Sequence, residues 1–311
     1  MQSTIIVLNQ LGMMLLVIGL GYAIAKKGHV KPEHSVLASS YITKIVIPIV
    51  AIRSLQEPFS MERLIEFGIY SGSVLLFTLL TLVVGFVLCL ILKIPRREGR
   101  VWAISGSFSS TVFMGGPLYI ALFGEVAAFP ISAMLLAFNL LVSVIAIPFI
   151  GADETGAKIP MRKRIRSVFN SGTIACIIGL VLFIADIRLP YFMLGGMQLI
   201  WNTMTPIFML VLGFVLAQIP IRSLIDSYRV PLFTAVKLIL CPLITFFVFR
   251  LFITDPMILT IITLGAAMPT GNSVIVVCET FKNNSEIAAK VTFVSTVLCI
   301  VTVPLLALII L

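Results

Sequence analysis

Two short stretches place oxygen and amide side chains beside helix-breaking residues, each inside otherwise apolar sequence. Residues 107–118 read SFSSTVFMGGPL, with Ser110 and Thr111 ahead of Gly115, Gly116 and Pro117. Residues 268–273 read MPTGNS, with Pro269, Thr270, Asn272 and Ser273. Proline has no N–H and blocks the helical bond to the residue four earlier. Glycine permits backbone angles that other residues resist. A helix entering either stretch stops there and frees several backbone groups. Bare in lipid, each free group is costly, so each break must be covered by protein or face a water-filled cavity. The natural cover for one break is the other. Two breaks meeting would gather four half-helix ends, and the N-terminal ones carry free N–H groups and partial positive charge. That arrangement suits a carboxylate, with the hydroxyls and the Asn272 amide as further donors and acceptors.

The elements that must hold these stretches are membrane helices. Of the 311 residues 59% are hydrophobic and 11% charged, with a mean hydropathy of +1.15, and a soluble domain would carry about twice that charge. A helix needs about 20 apolar residues to cross the hydrocarbon core. Ten runs qualify: 5–25, 35–55, 67–92, 101–123, 128–150, 168–186, 193–216, 229–250, 257–279 and 287–310. The runs are long and lack alternation, which disfavours strands. The first run has no basic region ahead of it and no small-residue cleavage site after it, so it reads as a retained span.

The net charge of +9 comes from short loops, which points to membrane topology and not to nucleic acid. Sixteen lysines and arginines lie in odd-numbered loops, against Arg53, Arg63, Arg188 and Arg250 in the even ones. The positive-inside rule then puts the odd loops in the cytoplasm of a cell membrane, with both termini outside. The longest connection, GADETGAKIPMRKRIRS at 151–167, divides the chain into a first five-run unit (1–151), a linker (152–167) and a second unit (168–311). Five is odd, so equivalent runs in the two units cross in opposite directions.

The units resemble each other in the order of their breaks. Runs two and seven carry central prolines, Pro48 and Pro206. Runs five and ten match as NLLVSVIAIP, from Asn139 to Pro148, and STVLCIVTVP, from Ser295 to Pro304. Runs four and nine hold the two stretches above. Interrupted segments at equivalent places in two halves point to a midplane binding site. Asn139, at the head of one matched segment, joins the candidate binding residues.

Lys44 and Lys237 lie inside apolar runs, where an ionised lysine costs at least about 3 kcal/mol unless it meets water, a partner or the surface. Either lysine counters a substrate carboxylate or snorkels to an interface. Lys44, four residues before Pro48, is the stronger functional candidate. No aspartate sits at mid-run, which disfavours carboxylate-driven proton antiport. Cys89, Cys176, Cys241, Cys278 and Cys299 form no CxxC and read as reduced apolar fillers. His29 and His34 share a loop remote from any serine or acid cluster in the runs, and no HExxH or phosphate-cradling loop occurs. Enzymatic chemistry and a metal or other cofactor are not expected.

At the two proline stretches the chain resembles the auxin efflux carrier family, whose bacterial relatives include proteins described as malate or malonate permeases. The resemblance rests on Ser110-Thr111-Val112-Phe113-Met114-Gly115-Gly116-Pro117-Leu118. It also rests on Ala266-Ala267-Met268-Pro269-Thr270-Gly271 with Glu279, and on the opening GYAIAKKGHV. The family's motif has Asn where this chain has Ser110, and Asn272 compensates from the other unit. The short central loop favours a bacterial-type member. The resemblance implies an all-α membrane protein of ten transmembrane helices, built as two inverted five-helix repeats with crossed, broken helices four and nine. It implies a scaffold of spans one, two, six and seven, often homodimeric, and a transport unit of spans three to five and eight to ten. A small-molecule anion such as a mono- or dicarboxylate would bind at the crossing. Two alternatives are a sodium-coupled symporter of the bile-acid type and a transporter-like ligand sensor.

Overall fold

A computed structural model describes residues 2–30, 32–151, 169–218 and 228–310. The linker, 152–167, lies outside them. The described residues are helical, and their only strand-like feature is an isolated bridge between Ser109 and Thr270. Six segments are long and apolar enough to cross a membrane, and Ser171–Ile184 and Pro256–Ala267 are shorter apolar helices. The chain is a multi-pass membrane protein.

The first half opens with α1 (Gln2–Lys26), α2 (Pro32–Tyr41) and α3 (Ile47–Arg53). It continues with α4 (Met61–Ile91), α5 (Arg96–Ser107), α6 (Gly115–Phe123), α7 (Ala128–Leu141) and α8 (Ile147–Ile150). The second half holds α9 (Ser171–Ile184), α10 (Tyr191–Ala217), α11 (Arg229–Phe249), α12 (Pro256–Ala267), α13 (Asn272–Thr280) and α14 (Ser285–Ile310). A π-turn at Ile42–Val46 joins α2 to α3, and another at Val142–Ala146 joins α7 to α8. Each sits just before a proline, Pro48 or Pro148. The proline cannot donate to the carbonyl four residues back, and a wider turn re-registers the bonds without ending the helix. The apolar stretch 115–150 is not one rod. Gly124 has φ +76, a value glycine adopts at little cost, and a short 3₁₀ turn at Gly124–Ala127 separates α6 from α7.

α1 shows why these helices belong in lipid. Val7, Leu11, Met14 and Ile18 are buried at helical spacing, yet Ile5, Leu8, Met13, Leu16 and Leu20 are exposed on the other face. A helix apolar all round has no side suited to water. Its buried face packs on α10 through glycines. A methyl on Gly21 would come 2.5 Å from Leu210 O, and one on Gly213 would come 2.7 Å from Tyr22 N and still closer to Ile18 O. Small residues let the backbones approach where lipid offers no hydrophobic drive. α9 meets α3 in the same manner, with Gly179 against Ala51 O and the backbone of Ile52.

Candidate functional site

The two interruptions are in contact. Between α5 and α6 the chain is non-helical around Phe108–Thr111, and between α12 and α13 around Met268–Gly271. Ser110 N donates to Pro269 O at 2.7 Å and Gly271 N donates to Phe108 O at 2.8 Å. This pair satisfies two of the backbone donors that the breaks release. Thr270 is fully engaged: its N–H donates to Ser295 Oγ at 3.0 Å and its hydroxyl to Ser105 O at 2.6 Å. Ser109 Oγ reaches Ala266 O at 3.4 Å.

Other polar atoms at the junction have no partner. Ser110 Oγ, Thr111 Oγ1, Asn272 Oδ1 and Ser273 Oγ are buried and without a hydrogen bond. These four residues, with Gly271, Phe113, Phe138 and Phe208, line a cavity of about 20 Å³, room for roughly one water. The helices that begin here are uncapped. α6 starts at Gly115 and α13 at Asn272, and neither has a side-chain cap. At α6 the first N–H groups are already used, Gly115 N on Ser110 O and Gly116 N on Val112 O, and Pro117 has none; at α13 those of Asn272 and Ser273 have no backbone partner among the described residues. One helix start with free N–H groups thus adjoins four unsatisfied oxygens, although buried polar groups are ordinarily paired. A small polar solute would satisfy them.

Tyr119 fixes the α6 end. Its ring and hydroxyl pack over Gly115, so closely that a methyl there would displace them. On the opposite side of α6, Gly116 and Pro117 line a larger cavity of about 500 Å³. Gln10 of α1 and Trp201, Asn202 and Thr205 of α10 face them across it. Val112 borders both cavities, and the rings of Phe113 and Phe208 stack beside the smaller one at 4.4 Å and 10°.

The structure reverses the ranking of the two lysines. Lys44 is exposed on the π-turn and lines neither cavity. Lys237 of α11 is 1% exposed, and its ammonium donates to Met268 O, at the C-terminal end of α12. A cation suits that end, where unpaired carbonyls carry partial negative charge. Lys237 therefore does not snorkel; it holds the broken helix. Asn139 also lies elsewhere than expected. Its amide donates to Leu135 O at 3.0 Å and packs against Gly172 at the start of α9, while its neighbour Phe138 lines the small cavity. Sequence reasoning missed Gln10, Asn202 and Thr205. Each is a polar residue deep in an apolar run, and Thr205 directly precedes Pro206, so the signal was present.

A polytopic helical membrane protein with two uncapped half-helices meeting over orphaned oxygens has the internal design of a membrane carrier. The family model described as membrane transport protein matches residues 6–163 and 153–307, so the chain belongs to this, the auxin efflux carrier family. Members of the family are membrane transporters, not enzymes. Comparison with curated proteins finds no match.

Proposed function

We propose that this transporter is a secondary carrier for a small organic anion, a mono- or dicarboxylate, bound where the two interruptions meet. The observation that carries the reading is the set of four unpartnered oxygens at the meeting of the two interruptions, beside the open start of α13. A carboxylate would accept from the free N–H groups at the start of α13 and from the hydroxyls of Ser110, Thr111 and Ser273. Thr270 and Pro269 supply the frame, not ligands, because their polar atoms are already engaged. Gly115, Gly116 and Pro117 contribute backbone and space.

The ten runs form two inverted five-helix repeats in this reading, joined by the 152–167 linker. Packing comes in matching sets that support it. α1 pairs with α10 as α9 does with α3; α4 pairs with α5 as α11 does with α12; α4 pairs with α7 as α11 does with α14. Runs one, two, six and seven form the scaffold, through which two copies associate. The remaining runs move against it as an elevator-like unit. The larger cavity lies between the two parts, with α1, α3 and α10 on one wall and α6 and α7 on the other. Parting of Phe113 from Phe208 would open the small cavity to it.

Membrane potential drives the cycle without sodium. Lys237 supports this, because a resident ammonium at the end of α12 occupies a place where a coupling cation would bind. A potential of 100 mV supplies about 2.3 kcal/mol per charge, enough to expel an anion across the cell membrane. The bile-acid-type symporter is the second reading, favoured by the orphaned hydroxyls, which are also sodium ligands. Flux in proteoliposomes with potassium and valinomycin, in the presence and absence of sodium, tests the pair. Equal flux supports the uniporter, and flux that requires sodium supports the symporter.

A further inference from the structure

A cleft of about 460 Å³ lies on the face formed by the loops before α4, α7 and α12, and shares no lining residue with the two cavities above. Its charge is one-sided. Glu57, Glu62 and Glu66 come from the entry and first turns of α4, Glu125 from the 3₁₀ turn, and Asp255 from the cap of α12. Arg63 is the single cation among the lining residues, and it is already occupied. Its Nη1 donates to Glu57 Oε2 at 2.8 Å, and its guanidinium lies 5.8 Å from the centroid of the Phe129 ring. Glu62, Glu66 and Glu125 have no ion pair among the described residues.

Tyr70 provides an independent sign of a missing ligand. The residue is 2% exposed and lines the cleft, near the carboxylates of Glu66 and Asp255. Its hydroxyl has no hydrogen-bond partner among the described residues. The ring is buried and the hydroxyl is the part that opens onto the cleft, free to pair with what enters it.

The geometry argues against a bare metal ion, since no three acidic, histidine or cysteine side chains among the described residues converge as ligands. The carboxylates are instead spread over three segments of the chain. Arg63 already displays the contact the cleft makes with an organic cation: a carboxylate at one end and an aromatic face beneath. We propose that this cleft binds an organic di- or polyamine. Its ammonium groups would distribute among Glu62, Glu66, Glu125 and Asp255, and the Tyr70 hydroxyl would accept from one of them. The volume matches that of small-molecule sites, which span about 300–1,000 Å³. The positive-inside distribution puts this face outside the cell, so the amine would come from the external medium. The site is independent of the anion reading, because none of its residues lines the junction of the broken helices.

Titration calorimetry of spermidine and putrescine into the full-length protein in detergent, at low salt, tests the proposal. Saturable binding that weakens with salt is expected. It should fall at least about tenfold in Glu66→Gln combined with Asp255→Asn, and several-fold in Tyr70→Phe. Asn caps a helix as well as Asp, so the double variant keeps the start of α12. Glu125→Gln, on an exposed turn, provides a second loss should the double variant fold poorly. Glu286→Gln, an exposed carboxylate remote from the cleft lining that pairs with Lys290, should bind as the parent does. Three results would overturn the proposal: no saturable amine binding by the parent, equal binding by the parent and the folded cleft variants, or magnesium binding that spermidine does not displace.

Discussion

At the scale of single residues, the junction separates side chains whose polar atoms are hydrogen-bonded from side chains whose oxygens have no partner. Thr270 belongs to the first kind, with its hydroxyl 2.6 Å from Ser105 O and its N–H bonded to Ser295. Ser110 belongs to the second, buried with nothing bonded to its Oγ. Substitution should therefore split stability from transport. Thr270→Val loses a buried hydrogen bond and leaves a carbonyl unpaired, so it should destabilise by about 1–3 kcal/mol. Ser110→Ala removes an unsatisfied hydroxyl and should leave thermal stability unchanged or slightly raised while transport falls. Thermal unfolding in detergent and proteoliposome flux, measured on both variants, check this. Lys237 makes a related case. Lys237→Met strips the charge from the end of α12 and should lower both stability and flux, whereas Lys44→Met, at an exposed position, should change neither by much. The sequence exposed both lysines but its ranking, Lys44 first, is the reverse of the structure's, because depth along a run does not say which face of the helix carries the residue. Asn139 misled for the same reason: its neighbour Phe138 is turned to the cavity instead.

At the scale of elements, glycine sets how closely the helices approach. Gly213→Leu should force α1 from α10, since even a methyl there meets the backbone of Ile18 and Tyr22. Overpacking of this kind costs typically about 1–3 kcal/mol and often more against rigid backbone. Gly12→Leu is the matched control, because nothing lies within 4 Å of the position. Size-exclusion profiles and thermal unfolding of the two variants should diverge. The stacked pair Phe113 and Phe208 joins the first interruption to α10 and closes the small cavity. Phe208→Ala should admit larger carboxylates, read as stronger competition against the transported one. The interruptions themselves were legible in the sequence, because glycine and proline act locally and lipid leaves a broken helix few options. The contact between them was legible only as an inference from backbone satisfaction. The bridges from Ser110 N to Pro269 O and from Gly271 N to Phe108 O supply its atomic form. The π-turns before Pro48 and Pro148 were not legible, since proline in a helix can equally give a kink.

For the whole molecule, the charge asymmetry of the loops predicts orientation. The five native cysteines are all buried, so a new thiol would be read against a low background. Val126→Cys should react with an impermeant maleimide on intact cells, and Asn284→Cys only after permeabilisation; the reverse pattern would invert the topology. Composition and hydropathy made the membrane class evident, because an apolar surface on both sides of α1 has no other use. Which helix packs on which was beyond the sequence, since apolar side chains facing lipid and apolar side chains facing protein look alike. The central claim remains that two interrupted helices from the two halves bind one organic anion between them. The most direct test is potential-driven uptake of labelled mono- and dicarboxylates into proteoliposomes. The parent and the Ser110→Ala and Asn272→Ala variants would be compared at equal amounts of folded protein. Saturable uptake by the parent, reduced at least about tenfold when both positions are changed, is the expected result. Undiminished uptake by the doubly substituted, folded protein would contradict the account.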